Sequence, residues 1–195
     1  MLTLVTALTL LVPAPTPAST AQASMACRTM NTANLPLATR KSPLDSLSFK
    51  VGSAQVKLCY GRPSVNGRTM IGGNSVPFGK IWRTGANEPT MIHTTGPINI
   101  AGVAVPAGSY SIYTIPDPTQ WHVIVNRSIT QWGHESQYTD QVKAQEVGHG
   151  MANSSALTAP IETLAFKTEP GSAGAVNLLL EWEKTRVTIP VAPGK

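Results

Sequence analysis

The chain has 195 residues, 42% hydrophobic and only 13% charged, with 16 Gly and 16 Pro. That is enough for one domain with a real core, and the low charge with so many turn formers excludes long solvated helices. The formal charge is +5, but the Lys and Arg are scattered, without a basic run or an interleaved aromatic ladder, which excludes a nucleic-acid footprint.

Residues 2–12 are an uncharged run of Leu, Val, Ala and Thr. The run is too short for a membrane span, which needs about 20 residues. Pro13, Pro15 and Pro17 follow, then Ala21-Gln22-Ala23, a small-x-small cleavage pattern. Residues 1–23 therefore read as a signal peptide cut after Ala23, and the mature chain as periplasmic or extracellular. A lipid anchor on Cys27 is a second option, although no aliphatic residue stands three positions before it. Cys27 and Cys59 are the only cysteines. In an oxidising compartment they are expected to pair, closing a long loop worth about 3–4 kcal/mol. No C-x-x-C occurs, which argues against thiol redox chemistry.

Residues 24–44, broken by Pro36 and Pro43, read as a loosely ordered arm before a domain over 45–192. Short period-two runs then begin. Residues 47–51 alternate, and Gly52-Ser53 turns them into 54–60, where Val56, Leu58 and Tyr60 share one face and Lys57 and Cys59 the other. A glycine-rich crossing over 68–75 leads to residues 80–95, expected to form a central hairpin. Ala101-Gly102 is expected to turn residues 98–100 into 103–105. In 109–115, Tyr110, Ile112 and Thr114 oppose Ser111, Tyr113 and Ile115; in 121–127, Trp121, Val123 and Val125 oppose His122, Ile124 and Asn126. Residues 128–155 are the least regular, with one extended piece near 141–147. Strands over 161–169, 175–183 and 185–191 finish the domain. About nine or ten short strands without crossover helices predict an all-β fold, an antiparallel β-sandwich or flattened barrel.

The segment KIWRTGANEPTMIHTT, residues 80–95, concentrates the chemistry. If Ile81 faces the core, alternation carries Arg83 inward with it, and a buried guanidinium needs a partner. Glu88 is the nearest one. In one reading Arg83 and Glu88 form an ion pair that fixes the turn, and Asn87 satisfies its backbone. In another, Arg83 grips an anionic ligand and Glu88 acts as acid or base. Arg62 and Arg68 flank a second loop and could converge on the same pocket, or stay solvated. A metal site is not expected: no H-x-H occurs, and the one alternative would combine Glu88, His93 and His122. No cofactor is expected either. The hydrolase signatures G-x-S-x-G, S-x-x-K and H-E-x-x-H are absent. Trp82, Trp121, Trp132 and Trp182 read as core or rim packing.

Taken together, the run from Val56 through Gly61-Arg62-Pro63-Ser64, Gly67-Arg68, Ile71-Gly72-Gly73 and Val76-Pro77-Phe78-Gly79 is distinctive. So are W-R-T-G-A-N-E at 82–88, Pro106-Ala107-Gly108, Trp132-Gly133 and Leu180-Glu181-Trp182-Glu183. Over residues 44–191 the chain resembles the bacterial exported family known as domain of unknown function 2911. The resemblance implies an exported all-β domain and carries no activity, substrate or catalytic residue. Its motif falls on Tyr60, Arg62, Arg68, Trp82, Arg83, Asn87 and Glu88; Phe78 departs from it, standing where a Tyr is expected. Three functions follow as expectations. The first is an exported β-sandwich binding a small polar or anionic ligand through Arg62, Arg68, Trp82, Arg83, Asn87 and Glu88. The second is a carboxylate- or metal-dependent enzyme using Glu88 with His93 or His122. The third is a structural envelope module.

Overall fold

Alternating apolar and polar residues pair edge to edge wherever a turn residue lets the chain reverse. The computed structural model describes residues 25–195; the expected leader, residues 1–23, lies outside them. The strands are β1 Leu44–Val51, β2 Ala54–Gly61, β3 Thr90–Thr94, β4 Ile98–Ile100, β5 Val103–Val105, β6 Gly108–Ile115, β7 Gln120–Asn126, β8 Glu146–Pro170 and β9 Val176–Pro193. Among the described residues these nine form one antiparallel sheet, in the order β1-β2-β3-β6-β7-β8-β9-β4-β5. The turn between β4 and β5 works because Ala101 and Gly102 both take positive φ, 49° and 93°, matching the twist of the strands they join.

The long strands fold this sheet over on itself. The start of β8 pairs with β7, and its later part pairs with β9. The end of β9 then pairs with β4, with Ile100 opposite Val191. Leu58, Ile92 and Ile112 from one layer meet Phe166, Leu178 and Ile189 from the other around a shared void of about 10 Å³. The expected faces hold: Val56, Leu58 and Tyr60, like Trp121, Val123 and Val125, belong to this core. Three tryptophans fill its end, Trp82 stacked on Trp182 at 5.9 Å and edge-on to Trp121 at 6.1 Å.

The outer face of β2, β3, β6 and β7 is also covered. Cys27 and Cys59 form the expected disulfide, with Cα atoms 5.6 Å apart, which lays the arm on β2. The sulfur of Cys27 is thereby used in the disulfide and not free to carry a lipid. Residues 128–142 cover β6 and β7: Ser111 Oγ donates to Ser128 O at 2.7 Å, Gln131 Nε2 to Tyr113 Oη at 3.0 Å, and Asn126 Nδ2 to Val142 O at 2.7 Å.

The later elements correct the expectation. Where an extended piece was expected near 141–147, a single helical turn Asp140–Lys143 forms, capped by Thr139 Oγ1. β8 starts at Glu146, and the three expected closing strands are parts of two long ones. The apparent break around Pro160 is a bulge within β8, and Glu183, at φ +53°, bends β9 without ending it. No helix among the described residues is long and apolar enough to cross a membrane.

Candidate functional site

Residues 80–90 do not make the expected hairpin. Trp82 forms one isolated bridge with the end of β6: its N–H donates to Thr114 O at 2.8 Å and its carbonyl accepts from Thr114 N at 2.9 Å. The chain then loops through 83–89, closed by Thr90 N–H on Arg83 O at 3.0 Å and Thr90 Oγ1 on Thr84 O at 2.8 Å. Thr84 and Asn87 take positive φ, 58° and 65°. Core packing sets the phase opposite to the one expected. Trp82 and Thr84 are buried, while Ile81 and Arg83 are half-buried. The larger indole wins the inward position because its stacking on Trp182 buries far more apolar area than Ile81 could.

Arg83 is not the partner of Glu88. Its Nε donates to Gly85 O at 3.4 Å, and its chain packs beside Gly133. Glu88 is 4% exposed and is met by the arm. Arg40 Nη1 donates to Glu88 Oε2 at 2.7 Å and Nη2 to Oε1 at 3.0 Å, a bidentate pair. Met30 N–H adds a bond to Oε1 at 2.6 Å. The guanidinium also reaches Met30 O at 2.8 Å and Leu35 O at 3.3 Å. Asn87 Nδ2 holds the arm as well, through Ser42 O at 2.8 Å. Both charges of the pair are thus removed from water with their hydrogen bonds satisfied, the condition under which such a pair survives burial.

The other expected site residues do not gather there. Arg62 Nε donates to Leu164 O at 3.1 Å, and its Nη1 lies 3.2 Å from Asp45 Oδ2, which also accepts from Tyr60 Oη at 3.2 Å. Arg68, exposed, donates to Val65 O and Ser64 O, each at 2.9 Å. Phe78 is 45% exposed and lies over Gly72. The metal alternative fails on register. His93 pairs with Ser109 and His122 with Ile115, at opposite ends of β6, roughly 20 Å apart at the usual strand rise. Glu88 is occupied by Arg40, and no group of three His, Cys, Asp or Glu side chains converges among the described residues. His93 is buried, with Nδ1 2.8 Å from Ser109 Oγ; burial, and then the charge of Lys57, push its pKa down.

A second polar group sits where the cover meets β8. Tyr138 Oη donates to Glu146 Oε1 at 2.5 Å, and His149 Nε2 lies 2.6 Å from Glu146 Oε2. Burial pulls the Glu146 carboxyl upward, but these two partners outweigh it and hold its pKa below the usual range. Tyr138 packs edge-on to Tyr113 at 4.5 Å, and burial pushes the Tyr113 phenol up to about 12.

Open space lies elsewhere. A cleft of about 400 Å³ is walled by Val65, Ile71, Pro160 and Ile161 and rimmed by Glu162, Glu183, Lys184 and Thr185. It sits at the bend of the β8–β9 hairpin. Sequence reasoning missed both this cleft and Arg40. The disulfide held the clue to Arg40: it lays the arm against β2, whose Gly61 touches the Ala86 carbonyl of the loop, so an arm cation was within reach of Glu88.

The sequence model of a family described as protein of unknown function (DUF2911) matches residues 42–191. No curated protein and no solved structure matches the chain.

Proposed function

The chain belongs to the DUF2911 family, and from that premise we propose an exported structural β-sandwich in which the loop at 82–88 is the receptor for the protein's own N-terminal arm. The observation that carries the reading is the saturated Glu88 carboxylate, held by two guanidinium nitrogens and the Met30 N–H with almost no exposure. Acid–base work by Glu88 would require breaking these bonds before any substrate arrived. A ligand at the same loop would find Trp82 in the core and only Arg83 and Asn87 partly open. Export is supported by the disulfide, which persists in oxidising compartments. In this reading the disulfide and the ion pair are two fastenings of one arm.

The test is Glu88→Gln in the mature chain. It leaves Arg40 buried without its counter-ion, and the expected cost is about 3–5 kcal/mol in denaturant unfolding. With the disulfide reduced, the arm should also become open to limited proteolysis. Unchanged stability, with the arm still protected, contradicts the reading. Sequencing the mature N-terminus after expression with the leader tests export: it should begin at Ser24.

A further inference from the structure

The cleft at the hairpin bend is built by long-range bonds. Between the pairs Ala156–Thr185 and Ile161–Glu183, residues 157–160 of β8 stand against residue 184 alone. The strands therefore part, and the loop after β2 enters beside them. Val65 N–H donates to Glu162 O at 2.9 Å and Asn66 N–H to Glu162 Oε1 at 2.8 Å. Met70 and Ile71 N–H donate to the two oxygens of Glu183 at 3.0 and 2.6 Å. Glu183 does this from a left-handed backbone that a non-glycine residue adopts at a cost, the kind of local strain that clusters at binding sites.

The walls leave apolar side chains half-open, in a space of ordinary small-ligand size. At the rim, the second oxygen of Glu162, the ammonium of Lys184 and the hydroxyl of Thr185 make no hydrogen bond within the described residues, so both acceptors and donors are free. The free charges balance. Glu162 is offset by Lys184, and the Glu183 carboxylate is already taken up by the Met70 and Ile71 N–H groups. A charged head group therefore meets as much repulsion as attraction, whereas a hydroxyl can donate to Glu162 and accept from Lys184 and Thr185.

We propose that this cleft binds a free, neutral amphiphile, with a short hydrocarbon body against Val65, Ile71 and Ile161 and a hydroxyl-bearing head at Glu162, Lys184 and Thr185.

The test uses n-hexyl glucoside below its micellar concentration, followed through the methyl NMR signals of Val65, Ile71 and Ile161 in the full mature chain. Saturable shifts at these methyls are expected, with a dissociation constant on the order of 0.1–1 mM for a ligand of this size at ordinary efficiency. Ile161→Trp, which fills the cleft, should weaken binding at least tenfold, and Thr185→Val about threefold. If Ile161→Trp fails to fold, Val65→Trp fills the cleft from the facing wall. Absence of saturable shifts overturns the site, as does unchanged affinity in a folded filling variant. Tenfold tighter binding of hexanoate or hexylammonium overturns the neutral head. Association with neutral lipid vesicles but not with the free glucoside overturns the free ligand.

Discussion

The arm clasp at Glu88 and the cleft at the hairpin bend both gather charged residues from distant segments, yet they use them in opposite ways. At the clasp every side-chain polar atom of Glu88 and Arg40 has a partner and little of either side chain touches solvent. At the cleft the carboxylates bind backbone N–H groups to shape the walls, and part of their capacity stays open to water. The lesson is that the strongest chemistry on paper, an arginine and a glutamate in one short motif, is absorbed by folding. Recognition is left to a place whose side chains look ordinary.

A double-mutant cycle at the clasp should show the largest effect. Arg40→Met alone should cost about 3–5 kcal/mol, because Glu88 is left buried without its counter-ion, whereas Arg40→Met with Glu88→Leu should recover most of that loss. Urea unfolding reads both; additive costs would mean that the two groups do not act as a pair. Next in size is Gly133→Ala. A Cβ there would lie 2.3 Å from Asn87 O and 2.6 Å from Arg83 Cδ, so the loop must shift, at about 1–3 kcal/mol. An unchanged melting temperature would show the loop to be less tightly held than its contacts imply. On the cleft side, Ile161→Thr should change stability by no more than about 0.5 kcal/mol, since the wall it removes is half-open. A large loss would make the cleft a piece of core.

The smallest effect is a pH dependence at His93, buried on β3 away from both sites. Burial beside Lys57 lowers the His93 pKa below its ordinary 6.5. The unfolded chain therefore takes up a proton that the folded one refuses, and stability falls as pH drops below about 6.5 toward the folded value. Above that range His93 is neutral in both states and contributes no slope. His93→Gln should flatten this acid-side decline, as read from thermal unfolding between pH 7 and 5; an equal slope in both proteins would remove His93 as its source.

Much of the fold was legible because alternation in β2, β6 and β7 is strict and core packing follows it. Val56, Leu58, Trp121 and Val123 face the core as their spacing predicts. The long strands were harder to see, since Pro160 and Glu183 look like breaks while the ladder tolerates both as bends. At the loop, a single bridge at Trp82 gives no ladder to set the phase, so the choice between Ile81 and Trp82 fell to tertiary packing. Arg40 stands 48 residues from Glu88, and nothing local to either marks the other. The cleft was hidden for the same reason, as its walls come from three separated segments.

The position of β9 has a consequence for the order of folding. The last of the nine described strands in chain order lies between β8 and β4 and brings Leu178, Leu180, Trp182, Val187 and Ile189 to the core. Until it docks, β4 and β8 lack the partner that joins them and one layer of the sandwich has no middle. A chain cut back to residue 170 should thus remain loose and prone to aggregation, and the two layers should close only once β9 has docked.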